Sequence, residues 1–121
     1  MDERLEKALN FSNYMVTLNN QKRLLKEQYQ ENLLYFDSGC QFLVTRELIT
    51  FVELLINKGY EKDVVIIDDN EIPAKIADLN IFYENVLDTY FKASNLYFSE
   101  YDKLKKSRSV EKIIDYEKTE I

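Results

Sequence analysis

The sequence contains no histidine and no tryptophan, and it has only one cysteine, one proline and two glycines. Without histidine the chain lacks the commonest general base and transition-metal ligand, so hydrolytic schemes that depend on histidine are excluded. Two glycines are too few for a phosphate-binding loop, and neither the dinucleotide-binding motif nor the P-loop motif occurs. We therefore predict that the protein is not an enzyme and has no catalytic residue, no cofactor, no bound metal and no small-molecule substrate.

The single cysteine, Cys40, has no second cysteine with which to form an internal disulfide. A lone thiol beside an apolar run is typical of a small buried side chain. The chain has no run of about 20 apolar residues, and its polar start lacks the basic-then-apolar order of a secretory signal. These features predict a cytoplasmic protein that has no membrane partner.

The composition indicates a folded protein. The chain has 121 residues, of which 45% are hydrophobic and 13% aromatic, and this is enough to form one domain with its own core. Sixteen basic and 22 acidic side chains give a net charge of −6, which disfavours nucleic acid over most of the surface. We predict a single domain over residues 1–121.

Two long segments have helical periodicity and contain neither glycine nor proline. In residues 2–36 the apolar positions are Leu5, Ala8, Phe11, Met15, Leu18, Leu25, Tyr29, Leu33 and Phe36, with Gly39 ending the helix. In residues 79–107 they are Leu79, Phe82, Val86, Tyr90, Ala93, Tyr97, Tyr101 and Leu104, after an N-cap at Asp78. A helix of about 50 Å must pair along its length, so we expect an antiparallel pair.

Residues 40–76 between these helices predict a small α/β segment. Strand patterns at 40–44, 64–67 and 71–76 predict a three-stranded sheet, and Thr45 and Gly59 bound a helix inserted after the first strand. A short tail helix over 109–118 is expected after a break near Ser107. The predicted fold class is α+β, mostly helical.

Charge suggests two candidate interaction surfaces. Residues 37–72 carry three basic and eight acidic side chains, and their acidic turn holds Asp68, Asp69 and Glu71. This acidic segment either contacts a basic partner or is ordinary solvated surface. The turn lacks the glycine and the final glutamate of a calcium-binding loop, and its Asp and Asn residues are also common in turns that bind no metal.

The second candidate surface is basic and consists of Lys103, Lys105, Lys106 and Arg108 at the end of the second long helix. Cations at this place stabilise the helix dipole, which is one explanation of the cluster. Contact with the phosphates of a nucleic acid is the other. In the antiparallel arrangement the acidic N-terminal residues would lie near the cluster and neutralise part of its charge.

Nine tyrosines and seven phenylalanines are many for a chain of this size, and several lie off the main helical stripes. Candidate interaction residues among them are Tyr14, Tyr83, Phe91 and Phe98. Apolar residues on a second helical face predict a further layer, supplied either by the tail helix or by another copy of the chain. Tyrosines that only cover the edges of a stripe are the alternative.

Four segments carry a resemblance to small uncharacterised proteins of marine tailed phages, notably the contractile-tailed cyanophages. They are Phe11-Ser12-Asn13-Tyr14, Leu18-Asn19-Asn20-Gln21-Lys22-Arg23, Ile67-Asp68-Asp69-Asn70 and Arg108-Ser109-Val110-Glu111-Lys112. The resemblance spans most of the chain and implies a location in the host cytoplasm or the virion, but no active site. The layout is also similar to that of prefoldin subunits, from which the inserted helix departs.

These observations favour a non-enzymatic interaction or assembly protein, whose partner is another protein or, as a homo-oligomer, the chain itself. The alternative is an accessory factor in phage nucleic-acid or transcription processes. Such a factor would bind nucleic acid through the basic cluster or a polymerase through the acidic segment.

Overall fold

The computed structural model describes the backbone of residues 2–120 and the side chains of residues 2–107. Within this range the chain forms three helices and two antiparallel two-stranded sheets, and it is a mostly helical α+β protein as predicted. In chain order the elements are α1 (Glu3–Asn32), β1 (Leu34–Asp37), β2 (Cys40–Leu43), α2 (Arg46–Asn57), β3 (Lys62–Ile67), β4 (Pro73–Asp78) and α3 (Leu79–Glu120).

The chain divides into two compact units. Unit 1 is Met1–Gln28 with Tyr97–Ile121, and it therefore combines most of α1 with the later part of α3. Unit 2 is Tyr29–Leu96 and contains both sheets, α2 and the first part of α3.

The predicted three-stranded sheet is wrong, because β2 pairs with β1 and not with β3. Ser38 and Gly39 form a two-residue turn, with φ angles of +53° and +75°. Positive φ angles at both positions match the twist of a β-hairpin. This turn folds Cys40 back opposite Asp37, and Leu43 opposite Leu34. Strands β3 and β4 form a separate hairpin with their own register.

The C-terminal ends predicted for the two long helices are also corrected. Helix α1 ends at Asn32 and not at 36, because Tyr35 and Phe36 are strand-forming aromatic residues that belong to β1. Helix α3 continues to Glu120 through Ser107, where a break and a separate tail helix had been expected. Serine and arginine do not by themselves end a helix, and no glycine or proline is present there.

The predicted helix boundaries around α2 and at the start of α3 are confirmed. The Thr45 hydroxyl accepts a hydrogen bond from the Leu48 amide at 3.1 Å, and Gly59 takes a φ of +97° just after the helix. The Asp78 carboxylate accepts hydrogen bonds from the amides of Asn80 and Ile81 at 3.0 and 3.2 Å.

The core of the described residues lies in unit 2. Its centre is Phe82, whose ring meets the rings of Phe42 and Tyr35 edge-to-face, with centroids 5.2 and 5.6 Å away. Among the side chains that the structure describes, all the buried hydrophobic ones belong to this unit: Leu33, Cys40, Phe42, Val44, Val52, Ile66, Ala74, Ile76, Leu79, Phe82, Val86 and Ala93. No residue of α1 within unit 1 is buried, so unit 1 packs much less tightly among its described side chains.

Candidate interaction surfaces

Asp68 was predicted as an exposed interaction residue, but its side chain is buried and joins the two hairpins. One carboxylate oxygen accepts hydrogen bonds from the amides of Ile72 and Asn70 at 2.7 and 2.8 Å, and the other accepts one from the Gln41 amide at 3.2 Å. The Asp69 amide donates to the Gln41 carbonyl at 3.0 Å. Asp68 therefore stabilises unit 2 from within.

The protonation of Asp68 follows from these contacts. Burial alone would raise the pKa of this carboxyl, but the hydrogen bonds from three backbone amides and from the Cys40 thiol hold it below its usual value. Burial, and then the adjacent Asp68 charge, raise the pKa of the Cys40 thiol. The pair is thus an ionised acceptor beside a protonated thiol, which is an arrangement for holding structure and not for nucleophilic attack.

Asp69 and Glu71 remain exposed on the β3–β4 turn. The turn is closed by hydrogen bonds from the Asp68 amide to the Ile72 carbonyl and from the Glu71 amide to the Asp68 carbonyl, at 2.9 and 3.1 Å. Glu71 takes a φ of +62°. A positive φ is typical of the last residue in a short hairpin loop. Of the three acidic side chains predicted at this turn, Asp69 and Glu71 are therefore the exposed ones.

The outward side of the β3–β4 hairpin is apolar. Ile66, Ala74 and Ile76 face the core, while the alternate residues Val65 and Ile67 are 58% and 57% exposed. Across the ladder Val65 pairs with Lys75 and Ile67 pairs with Pro73, and Ile72 lies exposed at the turn. We call the exposed set Val65, Ile67, Ile72 and Pro73 the hairpin face.

Within unit 1 the half-buried residues of α1 define an inner stripe of Tyr14, Leu18, Gln21 and Leu25. Their spacing of four, three and four residues is that of a helix that packs along a second helix. The Lys22 ammonium lies 5.8 Å from the centre of the Tyr101 ring, which places α3 beside this part of α1. An open groove of about 370 Å³ has Leu25 and Leu104 among its lining residues.

A second apolar stripe on α1 was not separated from the first in the sequence. Leu5, Leu9 and Val16 are 52%, 45% and 56% exposed, and we call them the outer stripe. At about 100° per residue they lie roughly 180–220° around the helix from Tyr14, opposite the inner stripe. The spacing of four and seven residues between Leu5, Leu9 and Val16 could have predicted this second face. It has the helical period, but it places these residues on a different side of the helix from the inner stripe.

The predicted basic cluster is partly neutralised by neighbouring carboxylates. Lys106 forms an ion pair with Asp102 at 2.9 Å, and Lys103 pairs with Glu100 at 3.4 Å. Lys105 is exposed, and the side chain of Arg108 lies outside the described residues. The cluster is therefore a mixed-charge helical surface over the part whose side chains are described.

The four predicted aromatic residues lie in different surroundings. Tyr14 belongs to the inner stripe, and Tyr83 packs against the core of unit 2. Phe91 is exposed and meets Tyr90 edge-to-face at 5.5 Å. Phe98 in unit 1 is 73% exposed, the highest value among the large hydrophobic residues described. Of these four residues, Phe91 and Phe98 are the ones whose aromatic surface is uncovered.

The described residues contain no group of three or more metal-ligating side chains, and none of their buried side-chain nitrogen or oxygen atoms lacks a hydrogen-bond partner. Over the same residues no helix is both long and apolar enough to cross a membrane. Comparison with family models, with curated proteins and with solved structures gives no match to this chain.

Proposed function

We propose that the protein is a non-enzymatic binding protein that self-associates through the outer stripe of α1. The single observation that carries this proposal is the exposure of Leu5, Leu9 and Val16 on the face opposite the inner stripe. In a pair formed with α3, only one side of α1 can be covered by its own chain. The opposite apolar side is best covered by a helix of another molecule.

The pairing we propose within unit 1 is antiparallel. The contact between Lys22 and Tyr101 and the joint lining of one groove by Leu25 and Leu104 place α1 and α3 side by side. The antiparallel direction is part of the proposal. Two such pairs would pack as a four-helix bundle when two copies associate.

Charge also supports association through unit 1. Its residues carry 11 basic and 10 acidic side chains, a net charge of +1, so two copies meet with little electrostatic repulsion. The apolar residues that we place at the contact make the association resistant to salt, because the burial of apolar surface is not screened by ions.

Light scattering after size-exclusion chromatography tests this proposal at low and high salt. We expect the natural protein to form a discrete oligomer at both salt concentrations, and the double variant L9Q/V16Q to dissociate at least about tenfold more readily. T17Q is the matched control, because Thr17 is an exposed position of the same helix outside the stripe. A natural protein that stays monomeric, or a double variant that associates normally, contradicts the proposal.

The alternative function as a nucleic-acid accessory factor has less support, because two of its predicted cations form ion pairs. Salt-sensitive binding of single-stranded DNA that is lost in K105E would favour it.

From the resemblance to tailed-phage proteins we propose that the association occurs in a host cytoplasm or a virion.

A further inference from the structure

The sequence of β3 is more apolar than is usual for a strand that has one side in solvent. Val64, Val65, Ile66 and Ile67 form a continuous apolar run, which is typical of a strand that is covered on both sides. In a hairpin with one side in solvent, the outward positions are normally polar. Here only the inward side is covered, and Val65 and Ile67 are left exposed.

The dimensions of the hairpin face limit what could cover it. Strands β3 and β4 have six residues each, which corresponds to about 20 Å at 3.3 Å per residue. A helix of about 13 residues has the same length, and its width matches two strands and their side chains. The hairpin face lies in the half of this length next to the turn, so one helix of three to four turns would cover it and extend beyond it.

The charge of unit 2 selects the kind of helix. The unit carries 12 acidic and five basic side chains, a net charge of −7. Its one salt bridge joins Lys92 to Asp88, so the other acidic side chains of this unit have no cationic partner within it. Asp63, Asp69 and Glu71 border the hairpin face, and Lys75 is the cation opposite Val65.

We propose that the hairpin face is the docking site for a basic amphipathic helix of a different protein. The apolar side of that helix covers Val65, Ile67 and Ile72, and its lysines or arginines face Asp69 and Glu71. Unit 2 of a second copy is disfavoured as the occupant, because two units of −7 repel each other. Nucleic acid is disfavoured for the same reason of charge. This inference is independent of self-association through unit 1.

The probe for the test is a fluorescein-labelled helical peptide of about 14 residues made only of leucine and lysine, with the leucines on one face. A peptide of the same composition in shuffled order tests for the apolar face. A peptide with glutamate in place of lysine tests for charge. Binding to the full chain is measured by fluorescence anisotropy, and circular dichroism verifies that each variant is folded.

We expect the basic amphipathic peptide to bind, and the shuffled and acidic peptides to bind at least about tenfold more weakly. The double variant V65T/I67T keeps strand-forming residues and should lose about tenfold in affinity. D69N/E71Q should lose several-fold at low salt and little at high salt. L54T, which replaces an exposed apolar residue of α2 in the same unit, is the matched control and should bind normally.

Three results would overturn the proposal. The first is no binding of the basic amphipathic peptide by the natural protein. The second is equal binding by V65T/I67T and the natural protein, which would show attraction by net charge alone. The third is loss of self-association in V65T/I67T, measured by light scattering, which would make a second copy the occupant of the face.

Discussion

The two units of this chain use their apolar residues in different ways. Unit 2 buries its apolar residues around Phe82, whereas α1 in unit 1 buries none and leaves Leu5, Leu9 and Val16 exposed. Unit 2 is also strongly acidic, at −7, while unit 1 is nearly neutral, at +1. The difference shows that unit 2 has a core of its own, and it is the basis of our proposal that a second copy covers unit 1.

The largest expected effect comes from the core of unit 2. Phe82→Ala removes the ring that Phe42 and Tyr35 pack against and should lower the free energy of unfolding by about 3–5 kcal/mol. Urea unfolding followed by circular dichroism measures this change. A loss below about 1 kcal/mol would contradict the assignment of the core to unit 2.

The next effect concerns Asp68 and its dependence on pH. Because the folded-state pKa of Asp68 is lowered, its contribution to stability is complete above the unfolded value of about 4 and is lost as the pH falls towards the folded pKa. Asp68→Asn should lower the melting temperature at neutral pH. The melting temperature of this variant should also decrease less than that of the natural protein as the pH is lowered. Asp69→Asn is the matched control and should change neither. An unchanged acid profile in Asp68→Asn would show that the carboxylate does not join the hairpins.

A smaller effect is expected on the inner stripe of unit 1. Leu25→Ala removes a half-buried side chain and should cost only about 1 kcal/mol in urea unfolding of the monomeric variant L9Q/V16Q. A cost of about 4 kcal/mol would mean that unit 1 has a tight core of its own. The comparison between the two units would then fail.

The smallest effect is expected at the contact between Lys22 and Tyr101. Lys22→Gln retains the helical preference of the position but removes the cation above the ring, and it should cost about 0.5 kcal/mol. Lys26→Gln is a suitable control, because Lys26 is an exposed lysine of the same helix and undergoes the same substitution. Equal costs for the two variants would show that the Tyr101 contact adds nothing.

Much of unit 2 could be predicted from local sequence signals. Thr45, Gly59 and Asp78 define helix ends through short-range hydrogen bonds and backbone preference, and the structure confirms each of them. The β1–β2 hairpin was missed because Phe36 also continues the spacing of the α1 stripe. Periodicity alone could not separate helix from strand there, and the two-residue turn at Ser38 and Gly39 was the informative signal.

The candidate surfaces were harder to predict, because burial depends on which elements meet. The sequence around Asp68 is typical of an exposed turn. Its inward position results from a contact with Gln41, 27 residues away. The outer stripe and the hairpin face consist of ordinary apolar residues. Their exposure becomes visible only when the fold has assigned one face of each element to the core.

Amide hydrogen exchange at low and high protein concentration tests the contrast between the units most directly. The account predicts that protection around Leu9 and Val16 rises with concentration, as a second copy covers the outer stripe, while protection around Val52 and Val86 stays high and constant. Equal protection of both regions at every concentration would contradict it, because α1 would then be stable without a second copy.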